Sequence, residues 1–171
     1  LTVTATSTEA DGDTASTVST LNVAVTGVAD APTVSVSDAA GAEDTAIALD
    51  ISAAVTDVDG SESITGITIE GLPAGASLSA GTENPDGSWT LSPAELTGLT
   101  VTPPADSDDD FSLTVTATST EADGDTASTV STLNVAVTGV ADAPTVSVSD
   151  ASGAEDTAIA LDISAAVTDV D

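Results

Sequence analysis

Residues 111–137 read FSLTVTATSTEADGDTASTVSTLNVAV. Phe111, Leu113, Val115 and Ala117 fall on one side of an extended chain and Thr114 and Thr116 on the other, the two-residue period of a half-buried strand. The same alternation returns in Leu133, Val135 and Val137. Asp123-Gly124 between the two runs is a hairpin turn signal. Upstream, 47–55 sets Ile47, Leu49, Ile51, Ala53 and Val55 on one face with Asp50 on the other. Further strand candidates are 33–37, 64–70, 88–92 and 99–102, separated by turn signals such as Asp59-Gly60 and Pro85-Asp86-Gly87. About seven short strands predict an all-β sandwich. Trp89 and Phe111, the two aromatic residues, are expected to anchor its core.

The chain repeats itself. Residues 1–59 recur as 113–171, an offset of 112, with the single difference that Ala40 becomes Ser152. A boundary near Gly27-Val28-Ala29-Asp30-Ala31-Pro32, repeated at Gly139-Val140-Ala141-Asp142-Ala143-Pro144, divides the sequence. Residues 1–29 are expected to be the C-terminal part of one repeat, 30–141 a complete repeat, and 142–171 the N-terminal part of the next. The whole reads as a window on a longer tandem array, in which each repeat touches identical neighbours.

Composition narrows the chemistry. The 171 residues include 29 acids and no Lys, Arg or His, a formal charge of −29. Nucleic acid and anionic membrane surfaces would be repelled, so neither is an expected partner. With no Cys or His, thiolate nucleophiles, Ser-His relays and imidazole metal sites are out. No apolar run is long enough for a membrane span, and no signal peptide opens the sequence. Yet 40% of residues are apolar and the mean hydropathy is +0.25, which argues for an ordered fold. Paired carboxylates could in principle hydrolyse glycosides, but here they sit on polar loops without a substrate platform, so no enzyme is expected.

If consecutive strands run antiparallel, the acids collect at the two ends of the sandwich. Asp57, Asp59 and Glu62, with Glu121, Asp123 and Asp125, fall at the end where Asp30 enters. Glu43 and Asp44, with Asp106, Asp108, Asp109 and Asp110, fall at the end where Asp142 leaves. Two carboxylates about 4 Å apart repel by roughly 1 kcal/mol in water and about 4 at an effective dielectric near 20. With no cationic side chain to offset this, a bound cation would remove the strain. Several hard oxygen donors on adaptable loops favour Ca²⁺ over Mg²⁺ or Zn²⁺. Asp57 and Asp59 with Asp108, Asp109 and Asp110 are the leading ligand candidates, and Asp123 and Asp125 are further ones. Asp38, Glu83 and Asp86 read as ordinary turn residues. An EF-hand is rejected, because Thr68 occupies its twelfth position and no helices flank the loop.

The run Leu113-Thr-Val-Thr-Ala-Thr, the strand ending Leu133-Asn-Val-Ala-Val, and Ala141-Asp142-Ala143-Pro144 resemble the end of a cadherin repeat and its linker. Glu43 after Gly-Ala and the Asp57-Val-Asp59 pair resemble the acids of a cadherin's first loop and its Asp-x-Asp. With Gly71-Leu-Pro-Ala-Gly-Ala-Ser-Leu and Trp89-Thr-Leu-Ser-Pro-Ala-Glu-Leu, the whole chain resembles the Ig-like, cadherin-like tandem repeats of large RTX bacterial adhesins. The resemblance implies a Greek-key sandwich, Ca²⁺ at the junctions, and a non-catalytic extender outside the cell, exported within a larger outer-membrane-anchored protein. It implies Glu43 and one or more of Asp108 to Asp110 as ligands at one pole, Asp142 in the linker, and Asp169 and Asp171 from the next repeat; Asp44, next to Glu43, is a further expected ligand. Asp30, Asp57 and Asp59 would serve the preceding junction. Ala29, Ala141 and Ser119 stand where cadherins place acids, and Glu121 or Asp123 would substitute. The alternative function is a glycan- or protein-binding module, which an exposed Trp89 would favour.

Overall fold

The computed structural model describes residues 1–57 and 60–167, and nearly every element is a strand. A leading hairpin consists of β1 (Thr2–Thr8) and β2 (Thr14–Thr20). There follow β3 (Thr33–Ser37), β4 (Ala39–Ala42), β5 (Ile47–Ala48), β6 (Asp50–Ala54), β7 (Glu62–Glu70), β8 (Ser77–Leu78) and β9 (Thr82–Glu83). Then come β10 (Trp89–Leu91), a 3₁₀ turn at Pro93–Leu96, β11 (Thr100–Thr102), β12 (Phe111–Glu121) and β13 (Thr126–Thr138). A trailing pair, β14 (Thr145–Val148) and β15 (Ile163–Ala166), completes the order.

Six strands form one sheet in the order β4-β13-β12-β7-β10-β9. The other layer is made by β5-β11-β8 and by β3-β6. Between them lie Ile67, Ile69, Leu113, Val115, Leu133 and Val135 from the first layer and Ile47, Leu49, Ile51, Leu78, Leu99 and Val101 from the second, all buried. Burying each such side chain contributes about 1.5–3 kcal/mol, so this face-to-face packing is what holds the sandwich closed. Trp89 and Phe111 are half-buried against that core. After β11 the chain crosses back so that β12 lies between β7 and β13, the Greek-key arrangement. Among the described residues no helix is long and apolar enough to cross a membrane.

The run at 47–55 is divided. β5 pairs with β11 and β6 with β3, and at the break the Leu49 N–H donates to the Leu99 carbonyl at 2.9 Å. The inward phase nevertheless survives, with Ile47, Leu49 and Ile51 all buried. The first strand also changes layers: β3 pairs with β6, but β4 runs parallel to β13. Asp38 fixes the switch by accepting hydrogen bonds from the Asn134 backbone N–H (2.7 Å) and Nδ2 (3.2 Å). β4 is built of small residues, and a Cβ added at Gly41 would lie 2.6 Å from Ile47 Cγ1. Its Ala-Ala-Gly-Ala sequence has no alternation to announce a strand.

Two features carry the ends of the long strands. In β12 the inward phase runs on past Ala117 to Ser119 and Glu121, both buried. The Ser119 hydroxyl donates to the Asp30 carbonyl at 2.6 Å, which satisfies a polar group in an apolar phase. In β7 the register against β12 shifts between Thr118 and Ser119, so that Thr118 faces Gly66 but Ser119 faces Ile64. This β-bulge inserts Thr65 and reverses the strand's parity. Ile67 and Ile69 point inward as odd positions, and beyond the bulge the even positions Ile64 and Glu62 do so.

The repeated sequence produces repeated pairing. Thr2 opposes Thr20 as Thr114 opposes Thr132, and Thr33 opposes Ala54 as Thr145 opposes Ala166.

Candidate metal centre

Three carboxylates converge at the end of the sandwich where β13 exits. One oxygen from each of Asp44, Asp106 and Asp142 lies within 4.8 Å of the others. Asp44 sits in the turn after β4, which the Thr45 hydroxyl closes by donating to the Ala42 carbonyl at 2.7 Å. Asp106 belongs to the loop before β12, and Asp142 to the segment leaving β13. Asp44 and Asp106 hold φ of 56° and 52°, left-handed backbone that Asp adopts more readily than most residues. The Asp106 N–H donates to Asp44 Oδ1 at 3.2 Å, so the two loops are tied directly.

Glu43 lies beside this group and is 2% exposed. Its backbone N–H donates to the Thr138 carbonyl at 3.0 Å, and its Oε1 accepts from the Val140 N–H at 2.5 Å. Its Oε2 is buried and has no hydrogen-bond partner among the described residues. A buried carboxylate oxygen left unmatched costs more than a neutral acceptor would, and buried charges are ordinarily paired or bound to metal.

Electrostatics tell the same story. Desolvation raises the Asp106 carboxyl above its ordinary range, helped by a hydrogen bond to Asp142 and by repulsion from Asp44, Asp142 and Glu43. The folded chain therefore holds the Asp106 proton more tightly than the unfolded one does. Without a cation, the strain at Asp106 is relieved as pH falls and is fully present at neutral pH.

The donors fit a hard divalent cation. All are carboxylate oxygens. Oxygens that share one Ca²⁺ at about 2.3–2.6 Å can be at most about 4.6–5.2 Å apart, a limit compatible with three oxygens that all lie within 4.8 Å of one another. Asp44, Asp106 and Asp142, with Glu43 behind them, could hold such an ion. Because Asp142 follows β13, it would tie the departing segment to the sandwich end.

The remaining expected ligands are distributed as follows. Asp108 and Asp109 are exposed and outside the triad. Asp110 Oδ1 accepts from the Val137 N–H at 2.8 Å and so fastens β12 to β13. The member of that loop that joins Asp44 and Asp142 is Asp106. At the opposite end, Asp30 donates its N–H to Glu62 Oε1 at 2.9 Å, and Ala29 donates to Asp125 Oδ2 at 3.2 Å. Glu121 is 6% exposed there, and Asp57 is half-buried in the loop after β6. Asp123 Oδ1 accepts from the Asp125 N–H at 3.3 Å, an Asx turn of the kind Asp-Gly hairpins make. Asp59, Asp169 and Asp171 lie outside the described residues. Asp86 is a turn residue whose carboxyl is held below its ordinary range by the Ser88 hydroxyl and N–H.

Asp106 and Glu62 fall in the acidic end loops that the sequence marks but are not among the expected ligands; the path of the loop before β12 brings Asp106 to Asp44 and Asp142, and the bulge at Thr65 turns Glu62 inward.

No family model matches the chain, and no curated protein matches it significantly.

Proposed function

We propose that the chain is a non-catalytic structural extender of a bacterial surface adhesin, in which Ca²⁺ at the ends of each sandwich stiffens a tandem array of identical repeats. The reading rests on the convergence of Asp44, Asp106 and Asp142 beside the buried, unmatched Oε2 of Glu43, in a chain with no cationic side chain. Asp142 is the part of that group that belongs to the inter-repeat segment. Without an ion the acids repel and the segment is free to swing; with one, its angle to the sandwich is fixed. Extracellular modules bind Ca²⁺ at about 10⁻⁴–10⁻³ M, so such an array would be slack inside the cell and stiff at its surface. The resemblance to RTX adhesin repeats, the near-exact internal repetition and the all-β sandwich all agree with this role. A glycan-binding module is less favoured, since Trp89 packs on the core instead of forming an exposed platform.

Small-angle scattering on several joined repeats, titrated from chelator into millimolar Ca²⁺, tests the proposal. The maximum dimension should grow and saturate with Ca²⁺ but not with equal Mg²⁺. An unchanged profile would refute it and mark the polar acids as solvated surface.

A further inference from the structure

The two ends of the complete repeat are fastened to each other. β4, near its beginning, lies parallel to β13, its last strand, with Ala39 opposite Val135 and Ala42 opposite Thr138. Hydrogen bonds close both ends of this short ladder. At one end Asp38 Oδ1 accepts from the Asn134 N–H and Nδ2, and the Ser112 hydroxyl donates to Asn134 Oδ1 at 2.9 Å, so the latch reaches β12. At the other, the Glu43 N–H donates to the Thr138 carbonyl at 3.0 Å.

The internal repetition shows that this pairing makes the strands. Residues 133–138 are strand beside β4, whereas residues 21–26, with the same sequence, form none. Ala39–Ala42 is strand beside β13, whereas residues 151–154, which differ only at Ser152, form none. The neighbouring antiparallel pairs do recur, as β1-β2 and β14-β15. What those copies lack is the contact between the two end strands, and each end strand is therefore ordered by the other.

Parallel pairing also sets how the repeat resists being pulled. Tension along the backbone draws β4 toward its start and β13 toward its end, in opposite senses along one ladder. The evenly spaced bonds of a parallel pair are then sheared together, whereas a ladder pulled open from one end peels bond by bond. β3, ahead of β4, is drawn along β6 in the same way, but β6 leads on into the rest of the sandwich. The β4-β13 ladder instead joins the two pulled ends directly, and β5-β11-β8 lies off that path.

We propose that β4, β13 and the Asp38–Asn134 latch form a mechanical clamp that keeps the sandwich folded under tension applied through its two ends. Its use in an array rests on the extender reading, whereas the clamp itself requires no bound ion.

Constant-force unfolding of the full chain, held by its two ends in chelator at pH 7, tests it. Asp38→Ala removes both bonds to Asn134 from an exposed side chain. Losing a hydrogen bond to a charged group should raise the unfolding rate under load about tenfold. Val101→Ala, at a buried position on β11 away from the clamp, should lower the melting temperature yet leave that rate nearly unchanged. Contacts still intact when the clamp ruptures do not enter the unfolding barrier. Circular-dichroism melts of both variants verify that they fold. A parental rate in Asp38→Ala, or an acceleration by Val101→Ala equal to that of Asp38→Ala, would overturn the proposal. The scattering titration fails separately: an unchanged profile there would remove the stiffened array and leave this rate difference standing.

Discussion

Replacing Glu43 by Gln should stabilise the chain in chelator, and the advantage should shrink as Ca²⁺ is added. The substitution keeps the shape of a side chain that is 2% exposed and keeps the acceptor for the Val140 N–H. It removes a buried charge and turns the unmatched oxygen into an amide that can donate toward the neighbouring carboxylates. A buried unmatched acceptor costs about 1–3 kcal/mol, so without Ca²⁺ the variant should be more stable than the parent by about that amount. For a unit of this size that is a rise in melting temperature of about 4–12 °C. With about 10 mM Ca²⁺ and a dissociation constant of about 10⁻⁴–10⁻³ M, the parent gains about 1.4–2.7 kcal/mol by mass action. That is about 6–11 °C, most of which the variant forfeits. Thermal melts followed by circular dichroism at pH 7, in chelator and in Ca²⁺, measure both differences. A variant that melts below the parent by the same margin in both conditions would show that Glu43 is an ordinary structural hydrogen-bonding residue and refute the reasoning.

Three further outcomes follow from particular contacts. Ser119→Ala leaves the Asp30 carbonyl without its 2.6 Å donor and should lower urea-unfolding stability by about 1–2 kcal/mol. Leu133→Ala, at a fully buried position between the layers, should cost about 2–5 kcal/mol in the same assay. Glu95 accepts from the Ser92 N–H (2.7 Å) and hydroxyl (2.8 Å), contacts that hold its carboxyl below the ordinary range. The stability they contribute is present above the unfolded value of 4.5 and is lost as pH falls through the folded one. Melts of Glu95→Gln against the parent should therefore differ at pH 7 and converge at low pH; a gap independent of pH would contradict this.

Much of the fold was legible because alternation is a local property. Leu113, Val115 and Ala117 face the core as their spacing requires, and Ile47, Leu49 and Ile51 do so even across a break in pairing. β4 was not legible, because Ala39–Ala42 has neither alternation nor bulk and is a strand only by lying against β13. Gathering acids toward the two ends followed from strand direction alone. Which of them meet did not: Asp106 joins the triad and Asp110 does not, since the path of one loop decides it. The parity of Glu62 depends on a single inserted residue in β7, invisible without the register of β12.

The internal repeat separates the two kinds of information within one molecule. Residues 1–20 and 113–132 have the same sequence, and they form the same hairpin with the same register. Even the turn bonds agree, with Gly12 N–H donating to Glu9 at 3.1 Å and Gly124 N–H to Glu121 at 3.0 Å. Sequence by itself therefore determined the strand pairing and the turn, which depend on near neighbours and backbone geometry. It did not determine burial. Val3 is 52% exposed where its counterpart Val115 is 0%, and Glu9 is exposed where Glu121 is buried against Glu62. Only the packing of β7 and the facing layer onto β12 takes those side chains out of water. Desolvation is what turns an acid on a hairpin into a candidate ligand, and it belongs to the tertiary structure.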